Sequence, residues 1–374
     1  MSLRNFPTVK DRRKFLENEI NADLSQLVSP LLEENASVHC ENLIGSTQIP
    51  LGVAGPVTIN SLERFIPLAT TEGALVASVS RGCKAITLSG GATSFSVNHG
   101  QTRGPVFRTE NIEQGIYLKN WIVKNVALIA KKAQSTSNHI SYKGAKVKII
   151  GNYTFVRFSF DTKDAMGMNM VTIATEAIAE LIEEKTKIKC IATAGNFDTD
   201  KKPSYMNAIN GRGFEVWSEA VITKKVLKEV LHTTAKDLYD VWIAKCMIGS
   251  YAAGSLGFNS HFANMVAAIF IATGQDPAHV VEGSNGITTC EVKGSDLYIS
   301  VNLPSLLVGT VGGGTALPSQ KTALSIMKIT SNTKSPMFAE IVAAGVLAGE
   351  LSLLASITTR TLGKAHQALG RKKV

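Results

Sequence analysis

The chain has few cysteines, and they follow no pattern. Cys40, Cys83, Cys190, Cys246 and Cys290 are scattered and odd in number, with no Cys-x-x-Cys and no His-x-x-x-His. Neither a disulfide framework nor a metal site is expected. Long apolar runs are missing too: no segment reaches the ~18–20 uninterrupted apolar residues of a membrane span. The nearest approach, positions 341–357, is broken by Glu350. The first residues lack the apolar core of a signal peptide, so no membrane partner and a cytoplasmic address are expected. There is no zinc finger, no RNP-like aromatic strand and no long basic helix, which argues against nucleic acid. Walker A and Gly-x-Gly-x-x-Gly are also absent, so neither standard nucleotide motif applies. The formal charge of +9 is then better matched by small anionic ligands.

What remains is an ordinary globular composition, 44% hydrophobic and 18% charged over 374 residues, long enough for two or three domains. Positions 1–40 read as short polar helices over 11–20 and 22–32. From 44 to 67, Gly and Pro punctuate short apolar runs, the pattern of strands and turns. Positions 72–86 are rich in Ala, Val and Ser and nearly free of charge before Arg81. A helix so bland must be buried, against another backbone. A charged helix over 112–133 precedes positions 145–160, where Val156, Phe158 and Phe160 alternate with Arg157 and Ser159, as a half-buried antiparallel strand requires. Asp164 opens a long helix with Val171, Ala174, Ile178, Leu181 and Ile182 at spacings of three and four. Helix, strands, helix and strand within about ninety residues is the split βαβ arrangement. The predicted fold class is α+β, with this small unit inserted into a larger body. A strand over 214–222, a helix over 261–273 stopped at Gly274 and an apolar helix over 337–356 follow.

Three constellations could carry chemistry. Asp200, Lys201 and Lys202 run into Pro203, where no helix continues. An acid beside two bases on a loop can hold a lysine charged and aim it at a carbonyl oxygen; the plain alternative is a solvated turn. Asp164 stands as a predicted N-cap ahead of Gly167 and three methionines, where a flat ring could approach, or where a capped core helix simply begins. Gly309-Thr310-Val311-Gly312-Gly313-Gly314-Thr315 offers turning backbone and open amides, as a phosphate site needs. Glu72, Asp276 and His366 are the remaining ionisable candidates. A Glu72 buried at the start of its helix would have a raised pKa and could yield a proton near neutrality. Asp276 alone reads equally as a turn aspartate, and His366 as an exposed side chain.

Taken in order, these segments resemble the catalytic domain of the 3-hydroxy-3-methylglutaryl-CoA (HMG-CoA) reductases. The resemblance rests on Glu41-Asn42-Leu43-Ile44-Gly45 and on Ile49-Pro50-Leu51-Gly52-Val53-Ala54-Gly55-Pro56. It continues through Thr70-Thr71-Glu72-Gly73, Arg81-Gly82-Cys83-Lys84-Ala85-Ile86, Asp164-Ala165-Met166-Gly167-Met168-Asn169-Met170 and Asp200-Lys201-Lys202-Pro203. Gly274-Gln275-Asp276 and the Gly309 loop complete it. Met168 resembles the class I branch of eukaryotes and archaea.

The resemblance implies reduction of the HMG thioester to mevalonate and CoA in the mevalonate pathway of isoprenoid biosynthesis, with NADPH, or NADH, as hydride source and no metal. Lys201 would stabilise the oxyanion, Asp276 would hold the charge states of Lys201 and Glu72, Glu72 would protonate the aldehyde oxygen, and His366 would protonate the departing CoA thiolate. Arg103, Asp200, Lys202, Lys245 and Asn264 match positions that hold the HMG group, and Ser78 and Arg81 match CoA contacts. Asp164, Met166, Gly167, Met168 and Asn169, with Gly312, Gly313 and Gly314, match the dinucleotide site. It further implies a helical N-terminal region over 1–40, a large domain over 41–104 and 194–374, and an inserted ferredoxin-like cofactor domain over 105–193. Active sites shared between subunits imply a homodimer or homotetramer. The chain departs from the family at three places. Asn138 stands where class I relatives carry an arginine for the 2′-phosphate, which opens the choice between NADPH and NADH. Ala194 replaces a serine that contacts HMG, and Lys372 stands in place of the phosphorylated serine of the animal enzymes.

Overall fold

Alternating apolar residues produce strands wherever the sequence supplies them. The computed structural model describes residues 3–329 and 334–360. Strands β1 (Leu51–Ile59) and β2 (Leu62–Ala69) form an antiparallel hairpin. The remaining strands are β3 (Thr93–Arg103), β4 (Val106–Arg108), β5 (Ser141–Ile150), β6 (Tyr153–Asp161), β7 (Lys189–Ala192), β8 (Gly213–Ile222), β9 (Ile287–Lys293) and β10 (Asp296–Leu306). They build an eight-stranded sheet in the order β7-β4-β6-β3-β8-β10-β9, with β5 on β6. β3 joins its two ends. Thr93 to Asn98 pair with β8, the register shifts between Asn98 and Gly100, and Gln101 to Arg103 pair with β6.

Two hydrophobic cores lie along this sheet. The smaller draws only on residues between 107 and 190, including Phe107, Leu118, Val156, Phe158, Ile178 and Ile182. Its strands pair antiparallel as β7-β4-β6-β5, with helices Ile112–Lys124, Val126–Gln134 and Met168–Thr186 in the connections. The larger core surrounds the helix Lys334–Thr358, which is apolar on every side and so must be surrounded by protein. By length and composition this helix could cross a membrane, yet most of it is buried inside the protein. Glu350, which breaks the apolar run over 341–357, is wholly buried and accepts from Ser260 N (2.8 Å), His261 N (2.7 Å) and Thr288 Oγ1 (2.6 Å).

The bland helix Leu75–Leu88 does lie against another backbone. A Cβ at Gly82 would sit 1.9 Å from the carbonyl oxygen of Ala348. Four local expectations are corrected. The helix Val9–Ile20 forms, but positions 22–32 hold only the short turn Ser25–Leu27. There the Asp23 carboxylate accepts from Ser25 N and Oγ, drawing the backbone away from helix, and Pro30 blocks its return. The helix expected over 112–133 breaks at Asn125, whose side-chain amide donates to Trp121 O at 2.8 Å. Asp164 caps no helix of its own, because that helix begins at Met168 after Gly167 turns at φ 84°. Instead the Asp164 carboxylate accepts from Ser335 N at 2.8 Å, in the first turn of Lys334–Thr358. Arg157, expected to face water, is buried and donates to Asn207 Oδ1 and Gly211 O.

Gly82→Ala should cost about 3 kcal/mol, since the added methyl group must push apart two helix backbones. Urea unfolding measures this, and an unchanged midpoint would contradict the close approach.

Candidate active site

The helix Phe262–Thr273 ends at Gly274 in the left-handed region, as expected. The chain then turns through buried Gln275, whose amide group brackets Gly309: Nε2 donates to Gly309 O (3.0 Å) and Oε1 accepts from Gly309 N (2.9 Å). Neither glycine has room for a side chain. A Cβ at Gly274 would lie 2.2 Å from Gly314 O, and one at Gly309 would lie 2.3 Å from Met166 N. Thr310 N donates to Asp164 O, and Ala165 bridges Val311. Three of the quoted motifs are thus packed backbone to backbone. Gly312 and Gly313 lie beyond them at positive φ, exposed, with open space around them.

Asp276 follows, capping the turn Pro277–His279 by accepting from Ala278 N at 3.0 Å. Its other oxygen meets Lys201 Nζ at 2.9 Å, with 43% of the lysine side chain and 31% of the aspartate exposed. The pair is therefore open to a ligand. Burial pushes the Asp276 carboxyl up, but the Lys201 and Ala278 hydrogen bonds and the nearby His279 and Lys201 charges bring it below its ordinary value.

Lys201 sits at φ 54°, and Thr199 just before it at 63°, conformations that cost a side-chain-bearing residue free energy unless its surroundings enforce them. The enforcement comes from beneath. Lys201 N donates to Glu282 Oε1 at 2.5 Å, and Thr199 Oγ1 donates to Asn207 Oδ1 at 2.5 Å. Glu282 is fully buried and pairs with fully buried Arg212, whose Nη1 lies 2.6 and 2.7 Å from its two oxygens. Arg212 also donates to Asp200 Oδ1 (3.1 Å) and Thr102 Oγ1 (2.7 Å). Burial would raise the Glu282 carboxyl, but the His279 hydrogen bond and the Arg212 charge outweigh it and leave it lowered. Asp200, His279 and Glu282 offer ligand atoms within 4.8 Å of one another, as a divalent cation would need. Arg212 supplies positive charge to both carboxylates.

Other predicted residues fall around this centre. Arg103 Nη1 lies 3.3 Å from Asp200 Oδ2 and 3.5 Å from Asp198 Oδ2, and its Nε donates to Thr172 Oγ1. Met168 Sδ touches Arg212 Nη2 at 3.3 Å, and Met166 O accepts from Gln101 Nε2. Asn169, Lys202 and Lys245 are exposed. Ser78 Oγ and Arg81 Nε both bond Ser352 Oγ, so the two predicted CoA contacts converge on one point. Glu72 corrects an expectation: it is exposed, because the helix starts only at Leu75 and Glu72 lies in the turn before it, its amide bonded to Thr70 Oγ1. Its carboxylate accepts from Asn264 Nδ2 at 3.1 Å. Among the described residues no hydrogen bond or ion pair joins Glu72 to Lys201 or Asp276. His366 lies outside the described residues. Sequence reading missed Arg212, His279 and Glu282; the available signals were an arginine held between two glycines and a lone glutamate in Val280-Val281-Glu282-Gly283.

The sequence matches the family model described as hydroxymethylglutaryl-coenzyme A reductase over residues 8–371. The chain belongs to the HMG-CoA reductase family. It is 45% identical to the 3-hydroxy-3-methylglutaryl-coenzyme A reductase of Haloferax volcanii, covering 96% of this chain and 92% of that one. The enzyme of Methanocaldococcus jannaschii is 47% identical, with the same coverages. The class II HMG-CoA reductase of Streptococcus pneumoniae, solved bound to NADPH in open conformations, superposes with a TM-score of 0.77 at 19% identity, over 96% of this chain and all of that one. That likeness establishes a shared fold with HMG-CoA reductases, mixed helix and sheet.

The buried and exposed pairs should respond differently to mutation. Arg212→Met strands Glu282 in the interior and should cost about 3–5 kcal/mol, whereas Lys201→Met at an exposed pair should cost less than about 1 kcal/mol. Urea unfolding of both variants checks this. Because Glu282 is lowered in the folded state, its contribution is present above the ordinary carboxylate range and is lost as pH falls through the lowered value. Arg212→Met should therefore flatten the acid side of the stability curve.

Proposed function

We propose that this chain reduces HMG-CoA to mevalonate and free CoA in isoprenoid biosynthesis, at a site built around Lys201 and Asp276. The observation that carries the reading is the 2.9 Å contact between these side chains, on loops fixed from below, in a chain of this family. Each reduction develops negative charge on a substrate oxygen, and a charged amine beside that oxygen stabilises it more in the transition state than before. Asp276 keeps Lys201 protonated and aimed. Glu72 is exposed and its carboxylate accepts from Asn264, and it would be the group that passes a proton to the aldehyde oxygen. His366 would protonate the CoA thiolate.

Arg103, Asp200, Lys202, Lys245 and Asn264 would hold the HMG group, with Ser78 and Arg81 at CoA. NADPH would supply hydride in two successive steps. The exposed positions and open surroundings of Gly312 and Gly313 fit a bound pyrophosphate, and the backbone crowding of Asp164 to Met166 against Gly309 fits a fixed wall beside it. The unit over 105–193, with its own core, is the proposed dinucleotide-binding domain. Exposed Asn138 and His139 lie in the turn before β5, where a neutral amide in place of a guanidinium leaves NADH open as an alternative to NADPH. Active sites shared between subunits, as the family resemblance implies, would make the enzyme a homo-oligomer. The sequence supports a cytoplasmic enzyme of the class I-like branch.

Purified protein given HMG-CoA should oxidise two molecules of NADPH or NADH for each CoA released, followed by absorbance and a thiol assay. Lys201→Met should abolish reduction while CoA binding stays measurable. Undiminished turnover in that variant would remove the oxyanion role, and no cofactor consumption by folded wild type would overturn the reading.

A further inference from the structure

His279 is the one member of the buried cluster whose chemistry is left open. The ring is completely buried, and Nδ1 lies 3.2 Å from Glu282 Oε1. Among the described residues Nε2 has no hydrogen-bond partner. It points between two carboxylates, 3.7 Å from Asp276 Oδ2 and 3.8 Å from Asp200 Oδ1. The charged groups around the ring are thus Glu282 at one nitrogen and Asp200 and Asp276 at the other, with Arg212 and Lys201 as the cations that share those carboxylates. Every oxygen facing the ring is a carboxylate oxygen, a hydrogen-bond acceptor. An imidazole protonated on both nitrogens is the form that meets them all with donors. An unpaired buried N–H is costly, and a movement of about 1 Å would bring Nε2 within hydrogen-bond range of Asp276.

The oxygen in reach is the one Lys201 occupies. Lys201 Nζ and His279 Nε2 both face Asp276 Oδ2, from the open and the buried side respectively. When Lys201 turns to a substrate oxygen, Asp276 keeps, among the described residues, the Ala278 amide on its other oxygen. We propose that His279 is a positioning residue that takes over Asp276 Oδ2 as Lys201 engages substrate, so that the lysine can leave without stranding a bare carboxylate. The proton stays on the ring throughout, and one hydrogen bond replaces another. This inference rests on the reading of Lys201 and Asp276 as the reacting pair. The His279 charge is also one of the influences that lower the Asp276 carboxyl against the upward push of burial.

The test compares wild type, His279→Gln and His279→Ala in HMG-CoA reduction with NADPH across pH, with thermal unfolding alongside. In His279→Ala, kcat should fall about ten-fold, the worth of one hydrogen bond to a charged group, while KM for HMG-CoA holds. The acid limb of kcat should move to higher pH, since Asp276 protonates more readily without the ring. His279→Gln, a neutral donor, should recover most of kcat but keep a shifted acid limb. An unmoved acid limb in His279→Gln overturns the proposal, and this variant decides the matter if His279→Ala does not fold. Nitrogen-15 NMR of the wild-type ring, assigned by its loss in His279→Gln, reads its protons without any turnover. Two N–H signals at neutral pH are expected; a ring with one overturns the proposal whatever the activity. A wild type that consumes no cofactor but shows both signals overturns the functional reading instead.

Discussion

Glu282 and Arg212 meet where neither reaches water, and the geometry around Lys201 depends on that meeting. Removing two charges from solvent is expensive, and their attraction offsets the cost only when the remaining hydrogen-bonding sites are filled. Here they are filled from several parts of the chain. Glu282 Oε1 takes Lys201 N, Arg212 Nη1 and His279 Nδ1, while Oε2 takes Arg212 Nη1, Asn207 Nδ2 and Ser305 Oγ. The carboxylate therefore ties the residue before β8, the end of β10, the short helix Tyr205–Asn210 and the loop of Asp200 and Lys201 to one point. A left-handed lysine, unfavourable on its own, becomes the conformation the rest of the structure requires.

The same device recurs on the other side of the site. Glu350 accepts the backbone N–H groups of Ser260 and His261, and so fixes the start of the helix that carries Asn264, the partner of Glu72. Each half of the proposed site has a buried glutamate that holds backbone and a more accessible acid with a side-chain partner, Lys201 at Asp276 and Asn264 at Glu72. The buried pairs give position and the exposed pairs stay weak, which lets Lys201 and Glu72 exchange partners at little cost.

Much of this was legible in the sequence because it is local. The alternation of Val156, Phe158 and Phe160 gave β6 its buried face, the lack of charge over 72–86 required burial, and Gly274 stopped its helix by conformation alone. The motif loops were legible as units of chemistry, and the structure packs three of them together. What could not be read was partnership at a distance. The Asp164 carboxylate looked like the cap of the next helix, while its partner Ser335 is 171 positions away. Arg157 fits the outward face of a strand by period, yet the segment at Asn207 covers it. Arg212 and Glu282 carry no periodic signal, since a single buried ion pair occupies one position on each of two elements.

The central claim is that the buried pair fixes the lysine loop from below, and amide hydrogen exchange at Lys201 in the unliganded protein measures it most directly. An exposed lysine on a loop would ordinarily exchange fast. If Glu282 holds its N–H as described, the Lys201 amide should exchange as slowly as the amides of β8 and β10. Exchange at the rate of an unprotected loop would contradict the claim, because the lysine would then owe its position to something other than the buried carboxylate.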